Sequence, residues 1–140
     1  WIKNVYPVRQ TATDGIESDS LFVFRVGSRI AGSIILNHRP EEAYHKVKWL
    51  IQDDYENILV IHTLVVHPLF LQKGIGEKLL SFTKEYGITK GIKSIRLDVS
   101  VDNLPAISLY EKMGYQYIAT VDLGLEYEHL KWFRLYELVL

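Results

Sequence analysis

The chain of 140 residues has the length of one domain, and its 48% hydrophobic and 24% charged residues are typical of an ordinary globular protein. A formal net charge of −1 provides no basic field for non-specific binding of nucleic acid. Every apolar run is interrupted within a few residues, so the sequence predicts no membrane span. The absence of Cys excludes disulfides, thiolate metal sites and a Cys nucleophile, and it favours a cytoplasmic protein.

The first half of the chain predicts mainly strands. Polar residues 10–20 indicate a surface connection. Two β-rich runs, 21–26 and 30–38, are separated by Gly27-Ser28-Arg29, and this spacing predicts a hairpin. Charged and aromatic residues 39–57 show no clear period, which favours a loop with a short helix. The apolar, β-branched run 58–66 predicts a central strand that is covered on both faces.

A helix and a further strand follow. From Gly74 onward, apolar residues recur at spacings of four, three and four, which predicts one apolar helix stripe. The stripe consists of Ile75, Leu79, Phe82 and Tyr86. Gly87 or Gly91 is expected to end this helix. Residues 95–101 alternate between apolar and polar, so the strand-helix-strand order predicts a right-handed parallel crossover.

The last third of the chain predicts a short helix and a strand pair. Asp102 or Asn103 can cap the helix, Pro105 is tolerated in its first turn, and Gly114 ends it. Its apolar stripe consists of Ala106, Leu109, Tyr110 and Met113. The β-rich runs 115–121 and 131–140 then predict a closing antiparallel pair.

The turn between the central strand and the first helix, residues 71–77, is the segment richest in chemistry. Gly74 and Gly76 allow several backbone N–H groups at a helix N-terminus to point outward together, where the helix dipole favours an anion. Paired glycines also serve simply to pack such a turn tightly, and spacing alone leaves both interpretations open. Neither the P-loop nor the dinucleotide fingerprint fits, because Leu79 occupies the place of a third glycine and no Gly-Lys-Ser/Thr occurs.

This turn resembles the cofactor motif of the GNAT superfamily of N-acetyltransferases, [QR]-x-x-G-x-[GA], which follows a strand with a Val-x-Pro-like ending. Residues 64–68, LVVHP, are similar to that strand ending. Leu71 stands where the motif has Gln or Arg, with Gln72 one place later. A second family signature, N-x-x-A-x-x-[LF]-Y-E-K-x-G-[FY], is matched by Asn103, Ala106, Leu109, Tyr110, Glu111, Lys112, Gly114 and Tyr115. The resemblance covers residues 21–140.

The resemblance implies an α/β fold of GNAT type, with a mixed, mostly antiparallel sheet, a central parallel βαβ crossover and flanking helices. It implies a single domain over residues 1–140, with the family's first strand and part of its first helix preceding Trp1. The implied activity is transfer of an acetyl group from acetyl-CoA to a primary amine of a small molecule or peptide by direct attack. The implied partner is this amine acceptor, without nucleic acid or membrane, and a homodimer is compatible. A non-catalytic acyl-CoA sensor or scaffold is the alternative.

By the same resemblance, the backbone of Leu64, Val65 and Val66 would pair with the pantetheine arm of the cofactor. The remaining cofactor-binding positions would be Gln72, Lys73, Gly74, Ile75, Gly76, Glu77, Asn103 and Tyr110. Tyr110 matches the general acid that protonates the departing thiolate. The alternatives are a core aromatic at Tyr110 and a plain helix N-cap at Asn103.

The general base is expected at His62, two residues before Leu64, where the family often has Glu. An imidazole can accept a proton at neutral pH, and regular strand alternation would place His62 on the face of Leu64. A satisfied core histidine is the alternative. A metal site is discounted, because His62 and His67 are five residues apart and would lie on opposite faces.

Residues 44–56 correspond to a segment that often borders the acceptor pocket in the family. Its aromatic and acidic residues are Tyr44, Trp49, Asp53, Asp54, Tyr55 and Glu56. Carboxylates there would suit a cationic amine, but a solvated surface face is the preferred interpretation.

Overall fold

The computed structural model describes residues 7–11, 20–124 and 131–140. Within these ranges the strands are β1 (Pro7–Thr11), β2 (Ser20–Val26), β3 (Arg29–Asn37), β4 (Ile58–Val66), β5 (Ser94–Ser100), β6 (Gln116–Asp122) and β7 (Trp132–Val139). The α-helices are α1 (Ile75–Thr89) and α2 (Leu104–Lys112), and short 3₁₀-helices cover Glu42–Lys46, Tyr55–Asn57 and Pro68–Phe70. No helix in the described ranges is long and apolar enough to cross a membrane.

The seven strands form one sheet in the order β1-β2-β3-β4-β5-β7-β6. β4 and β5, which α1 connects, are parallel, and all other neighbouring strands are antiparallel. The expected fold class is therefore confirmed. The closing pair of β6 and β7 is also confirmed, and β7 additionally inserts between β5 and β6.

The predicted hairpin is formed by β2 and β3, with small shifts at its ends. Gly27 has a φ of 62°, so the turn closes over Gly27 and Ser28, and Arg29 already belongs to β3. The predicted surface connection 10–20 begins later than expected, because Gln10 and Thr11 belong to β1. Residues 12–19 of that connection lie outside the described residues.

The ends of the helices follow the predicted capping residues. Asn103 caps α2, where its Oδ1 accepts the N–H of Ala106 at 3.3 Å. Gly91, with a φ of 73°, follows the last turn of α1, whereas Gly87 lies inside that helix. In α2 the buried residues are Ile107 and Tyr110, so Ile107 was missed by the predicted stripe.

β4 has the predicted bounds, but it is covered on both faces only over its first half. Residues 58–61 are buried, whereas residues 62–66 are exposed or half-buried. The reason is that pairing with β5 ends at Ile61 opposite Leu97, so the two parallel strands separate beyond that point. The separation leaves one edge of β4 open, and α1 begins beside this opening.

The segment 39–57 covers the sheet face opposite α1. Tyr44 and Trp49 are buried there against Val60 and Leu135. The expected loop with a short helix is thus a loop that carries two 3₁₀-helices.

Candidate active site

A cleft of about 900 Å³ opens where β4 and β5 separate. Its walls come from the second half of β4, the turn before α1, the first turn of α1, the end of β5 and α2. Among the predicted site residues, the cleft is lined by His62, Leu64, Val66, Gln72, Gly74, Ile75, Gly76, Glu77, Asn103 and Tyr110. Val65 and Lys73 do not line it. The fold therefore gathers residues that are distant in sequence around one concave surface.

The β3–β4 register explains why Val65 is excluded. The N–H of His67 donates to the carbonyl of Ala31 at 2.7 Å. Because hydrogen-bonding direction alternates along an antiparallel pair, Val65 also bonds across to β3, whereas Leu64 and Val66 direct their backbone groups towards the open edge. The backbone available to a ligand is therefore that of Leu64 and Val66, and the expected role of Val65 is corrected.

The N-terminus of α1 forms a second wall, and its first backbone N–H groups have no partner among the described residues. Gly74, the N-cap, adopts a left-handed conformation with a φ of 75° and provides no side-chain cap. The first intrahelical bond runs from the N–H of Lys78 to the carbonyl of Gly74 at 3.1 Å. The N–H groups of Ile75, Gly76 and Glu77 therefore lie at the open, positive end of the helix dipole, which is an arrangement suited to a phosphate.

The two glycines of this turn have different tasks. A Cβ at Gly74 would meet no atom within 4 Å, so Gly74 is required by its backbone conformation. A Cβ at Gly76 would lie 2.8 Å from Cδ2 of Leu109, so Gly76 allows α1 and α2 to approach closely. An ion pair between Glu77 and Lys112 joins the same two helices at the surface. The packing interpretation of the glycine pair is therefore confirmed for Gly76, whereas Gly74 sets the backbone conformation of the turn.

Tyr110 projects from α2 into the cleft and is 7% exposed. Its ring lies 5.9 Å from that of Tyr115, so it is also a core aromatic. Burial, and secondarily the negative charge of Asp98, raise the pKa of Tyr110 to about 12. Because no described residue makes a hydrogen bond to its hydroxyl, this group is a protonated donor that faces the cleft.

His62 is placed differently from the prediction. Residues Ile35 and Leu36 face Thr63 and Ile61, so His62 is the extra residue of a β-bulge. The bulge reverses the alternation of side chains: Leu64 packs with Ile61 against the core on the α1 side. The predicted position of His62 on the face of Leu64 is therefore wrong, although His62 still lines the cleft.

The imidazole of His62 is held by the loop that covers the opposite face. Its Nε2 lies 2.7 Å from the carbonyl oxygen of Arg39, and Nδ1 lies 3.9 Å from Oε1 of Glu41. A carbonyl can only accept, so the proton of the neutral ring resides on Nε2. His62 is thus partnered, as the alternative of a satisfied histidine predicted, and only Nδ1 can accept a proton.

Asp98 on β5 is a cleft residue that sequence reasoning missed. The hydroxyl of Tyr44 donates to its Oδ2 at 2.6 Å. Burial raises the pKa of the Asp98 carboxyl, and burial together with the Asp98 charge raises the pKa of Tyr44 well above its usual value. The available signal was a carboxylate at a polar position of the alternating strand β5, directly beside the predicted crossover.

The remaining acidic residues of segment 44–56 lie away from the cleft. Asp53 accepts hydrogen bonds from the N–H of Asp54 at 2.7 Å and from the side chain of Asn57 at 3.1 Å. Asp53, Asp54 and Glu56 do not line the cleft. The preferred interpretation of a solvated face therefore fits the carboxylates, while Tyr44 reaches the site through Asp98.

The known proteins that this chain resembles in sequence are acetyltransferases. The sequence profile of the Acetyltransferase (GNAT) family matches residues 3–115. The chain is 32% identical over 107 residues to the uncharacterised N-acetyltransferase YesJ of Bacillus subtilis, covering 76% of this chain and 58% of the relative. It is 26% identical over 116 residues to the streptothricin acetyltransferase of Escherichia coli, covering 81% and 58%. The chain thus spans less than two thirds of the length of these curated relatives.

The fold has a solved counterpart. A Bacillus anthracis protein assigned as a streptothricin acetyltransferase, solved with acetyl coenzyme A, superposes with a TM-score of 0.70 at 18% identity. The superposition covers 90% of this chain and 65% of that protein. At 18% identity this superposition shows a shared fold. The family profile is matched by the sequence itself, over residues 3–115. The chain belongs to the Acetyltransferase (GNAT) family.

Proposed function

We propose that this protein transfers the acetyl group of acetyl-CoA to a primary amine of a small molecule or peptide. The observation that carries the proposal is the separation of β4 from β5 beyond Ile61 and Leu97. This opening places an unpaired strand edge, the N-terminus of α1 and a protonated tyrosine around one cleft. Membership of the GNAT family supports the same activity.

The residues of the cleft fit the donor. N–H groups at the start of α1 are suited to the pyrophosphate of CoA, and the open backbone edge at Leu64 and Val66 is suited to the amides of its pantetheine arm. Asn103, whose Oδ1 caps α2, retains its amide nitrogen as a donor. When bound, acetyl-CoA supplies the activated thioester.

Tyr110 is the proposed general acid. The amine nitrogen attacks the thioester carbonyl carbon, the C–S bond breaks, and the Tyr110 hydroxyl gives its proton to the departing sulfur. Burial keeps Tyr110 protonated over the neutral range, with a pKa of about 12. The same burial raises the proton affinity of a thiolate beside it, which offsets the weakness of the acid. His62, through Nδ1, remains a candidate for the base.

The acceptor is tested with amines of several classes. Streptothricin belongs in the set, because that name is carried by two similar proteins. Spermidine, lysine, kanamycin and a peptide with a free N-terminus represent polyamines, amino acids, aminoglycosides and proteins. Free-thiol release with acetyl-CoA is the readout, and isothermal titration with acetyl-CoA and CoA is the companion measurement. Binding without thiol release on any amine would favour the acyl-CoA sensor, and absence of binding would contradict both functions.

Two further expectations accompany the activity. Since acetyl-CoA is an intracellular metabolite, the proposal includes a cytoplasmic location. The homodimer stays a prediction, and light scattering of the purified protein tests it.

A further inference from the structure

A half-buried carboxylate lies at the point where the cleft meets the loop that covers the opposite sheet face. Asp98 directly follows Leu97, the last residue of β5 that pairs with β4. Its side chain therefore stands where the two strands diverge, and it lines the cleft. The family signatures in the sequence do not include this position.

One oxygen of Asp98 is fixed, and the other remains available. The Tyr44 hydroxyl donates to Oδ2 at 2.6 Å, a length typical of a bond to an ionised carboxylate. Tyr44 is 1% exposed and is held by Trp49, whose indole N–H donates to the Tyr44 carbonyl at 2.8 Å. Within the described part of the chain no other hydrogen bond to the Asp98 carboxylate is made, so Oδ1 can accept one from a group in the cleft.

The other proton acceptors near this end of the cleft are less suitable. His62 donates through Nε2 to Arg39, and its Nδ1 is turned towards Glu41. The side chain of Glu41 is 47% exposed, so water screens its charge. Asp98 is half-buried and lines the same cleft as Tyr110, the proposed acid.

We propose that Asp98 is the catalytic base of the transfer and that its carboxylate selects acceptors that arrive as cationic primary amines. The inference rests on the proposed acetyl-CoA-dependent activity. The ammonium group would donate to Oδ1, while Tyr44 holds Oδ2 and thereby fixes the plane of the carboxylate. A positioned carboxylate in a low-dielectric cleft binds an ammonium ion and discriminates against neutral ligands.

The proton balance of the step is complete. The ammonium group gives one proton to Asp98, and the free nitrogen forms the C–N bond as the C–S bond breaks. Tyr110 protonates the sulfur, and the second proton lost by the nitrogen restores Tyr110. Asp98 then releases its proton to solvent, so one amide, one CoA thiol and one proton are formed. No oxidant, metal or covalent enzyme intermediate is involved.

Among the described residues, the titratable groups that act on the Asp98 carboxyl are Tyr44 and Glu41 from the covering loop and His62 from β4, and the Asp98 charge acts in turn on Tyr110 of α2. Burial, and less strongly Glu41, raise the pKa of Asp98, whereas the Tyr44 hydrogen bond and His62 lower it. A raised pKa makes this carboxylate a stronger base than a solvated aspartate. Because the Tyr44 hydrogen bond lowers the pKa of Asp98, removal of the Tyr44 hydroxyl should raise that pKa.

The test measures kcat/KM against pH for wild type, Asp98→Asn, Tyr44→Phe and His62→Gln, with the amine set above. We expect Asp98→Asn to lower kcat/KM at pH 7 by about 10²–10⁴-fold and to remove the acid limb of the profile, while the Kd for acetyl-CoA stays within about twofold. Tyr44→Phe removes a bond that lowers the pKa of Asp98, so the acid limb should move to higher pH. Asp122→Asn, an exposed change of the same type on β6, is the matched control.

The inference is overturned if Asp98→Asn keeps wild-type turnover, if Tyr44→Phe leaves the acid limb in place, or if His62→Gln alone removes that limb. Circular dichroism checks that each variant is folded. If Asp98→Asn is not folded, the profiles of Tyr44→Phe and Asp98→Glu decide. Wild-type protein that releases no thiol with any amine would instead contradict the proposed function, and this outcome is read before any variant is compared.

Discussion

A Cβ atom on Gly32 would lie 2.8 Å from the carbonyl oxygen of Val65 on the neighbouring strand. It would also approach Cγ2 of Ile75 at 3.0 Å and Cδ1 of Leu79 at 3.1 Å. Gly32 therefore allows the second half of β4 to lie close to α1, at the level where β4 has left β5. Since a backbone carbonyl cannot move without its strand, the cleft depends on glycine at this position.

Gly32→Ala should disturb the cleft. We expect the free energy of unfolding to fall by about 1–3 kcal/mol through overpacking, and the Kd for acetyl-CoA to rise about tenfold, equivalent to ~1.4 kcal/mol. Gly27→Ala is the control: its φ of 62° is strained for alanine, but no atom lies within 4 Å. It should cost about 1–2 kcal/mol of stability without a change in Kd. Wild-type affinity of the Gly32 variant would contradict this prediction.

Tyr110→Phe removes one hydroxyl from the cleft and leaves the ring in the core. We expect kcat to fall by about 10²–10⁴-fold, because the sulfur loses its proton donor, with an unchanged Kd for acetyl-CoA. The comparison variant is Tyr115→Phe, whose hydroxyl is buried without a partner among the described residues and does not line the cleft. That variant should keep its activity and gain about 1–3 kcal/mol of stability. Equal kinetics of both variants would exclude Tyr110 as the acid.

Stability should fall at alkaline pH. Burial raises the pKa of Tyr110 to about 12 and also raises the pKa values of Tyr44 and Tyr115, so the folded state holds these protons more tightly than the unfolded chain. The free energy of unfolding is then constant below the unfolded value of about pH 10 and decreases above it, with Tyr110 responsible for up to about 3 kcal/mol by pH 12. Urea unfolding at pH 8, 10 and 11 measures this slope. Tyr110→Phe should reduce this slope, and an unchanged slope in that variant would contradict the prediction.

Glu137→Gln should loosen the loop that holds Tyr44. Glu137 is fully buried and accepts hydrogen bonds from Arg96 at 3.0 Å, Ser94 at 2.6 Å and the N–H of Leu50 at 2.6 Å. Among the described residues Glu137 is the only carboxylate paired with Arg96. Removal of its charge leaves the buried Arg96 without that counter-ion, so we expect the free energy of unfolding to fall by about 3–5 kcal/mol and amide exchange to become faster in residues 42–57. Lys93→Gln, which breaks an exposed pair with Asp53, should cost less than about 1 kcal/mol. An equal loss of stability in the two variants would contradict the role of Glu137 in holding this loop.

Leu71→Arg should strengthen binding of the donor. Leu71 is 57% exposed, lines the cleft and stands where the family motif has Gln or Arg. A guanidinium beside the N-terminus of α1 would add a charge-assisted bond to the pyrophosphate, so we expect the Kd for CoA to decrease about fivefold, with a steeper dependence on salt. Leu69→Arg introduces the same charge at an exposed residue outside the cleft and should change the Kd less. An identical decrease in Kd for both variants would contradict a specific contact at position 71 and would show a general effect of the added charge.

Local features could be predicted from the sequence because they depend on neighbouring residues. The bounds of β4 followed from its β-branched run, and the start of α1 followed from Gly74 and the spacing of its apolar residues. The Asn103 cap of α2 was likewise local. Short-range sterics and hydrogen bonding govern each of these features, and the motifs at Gly74 and Tyr110 indicated the family in the same way.

The position of side chains around the cleft could not be predicted in this way. One extra residue in β4 reverses its alternation and turns His62 towards Arg39, and no local pattern marks a bulge. The bond between Tyr44 and Asp98 joins residues that are 54 positions apart. Such a contact depends on where a long loop crosses the sheet.

The sequence by itself determined the strand and helix periods, the capping residues, the glycine turn and the family resemblance, because each is encoded within a short stretch of chain. Tertiary structure alone decided that β4 and β5 separate beyond Ile61 and Leu97, that β7 inserts beside β5, and that Asp98 faces the cleft. These features arise when strands compete for partners and when loops cover one face of the sheet. Their energies come from contacts between distant segments, which no local pattern of residues records.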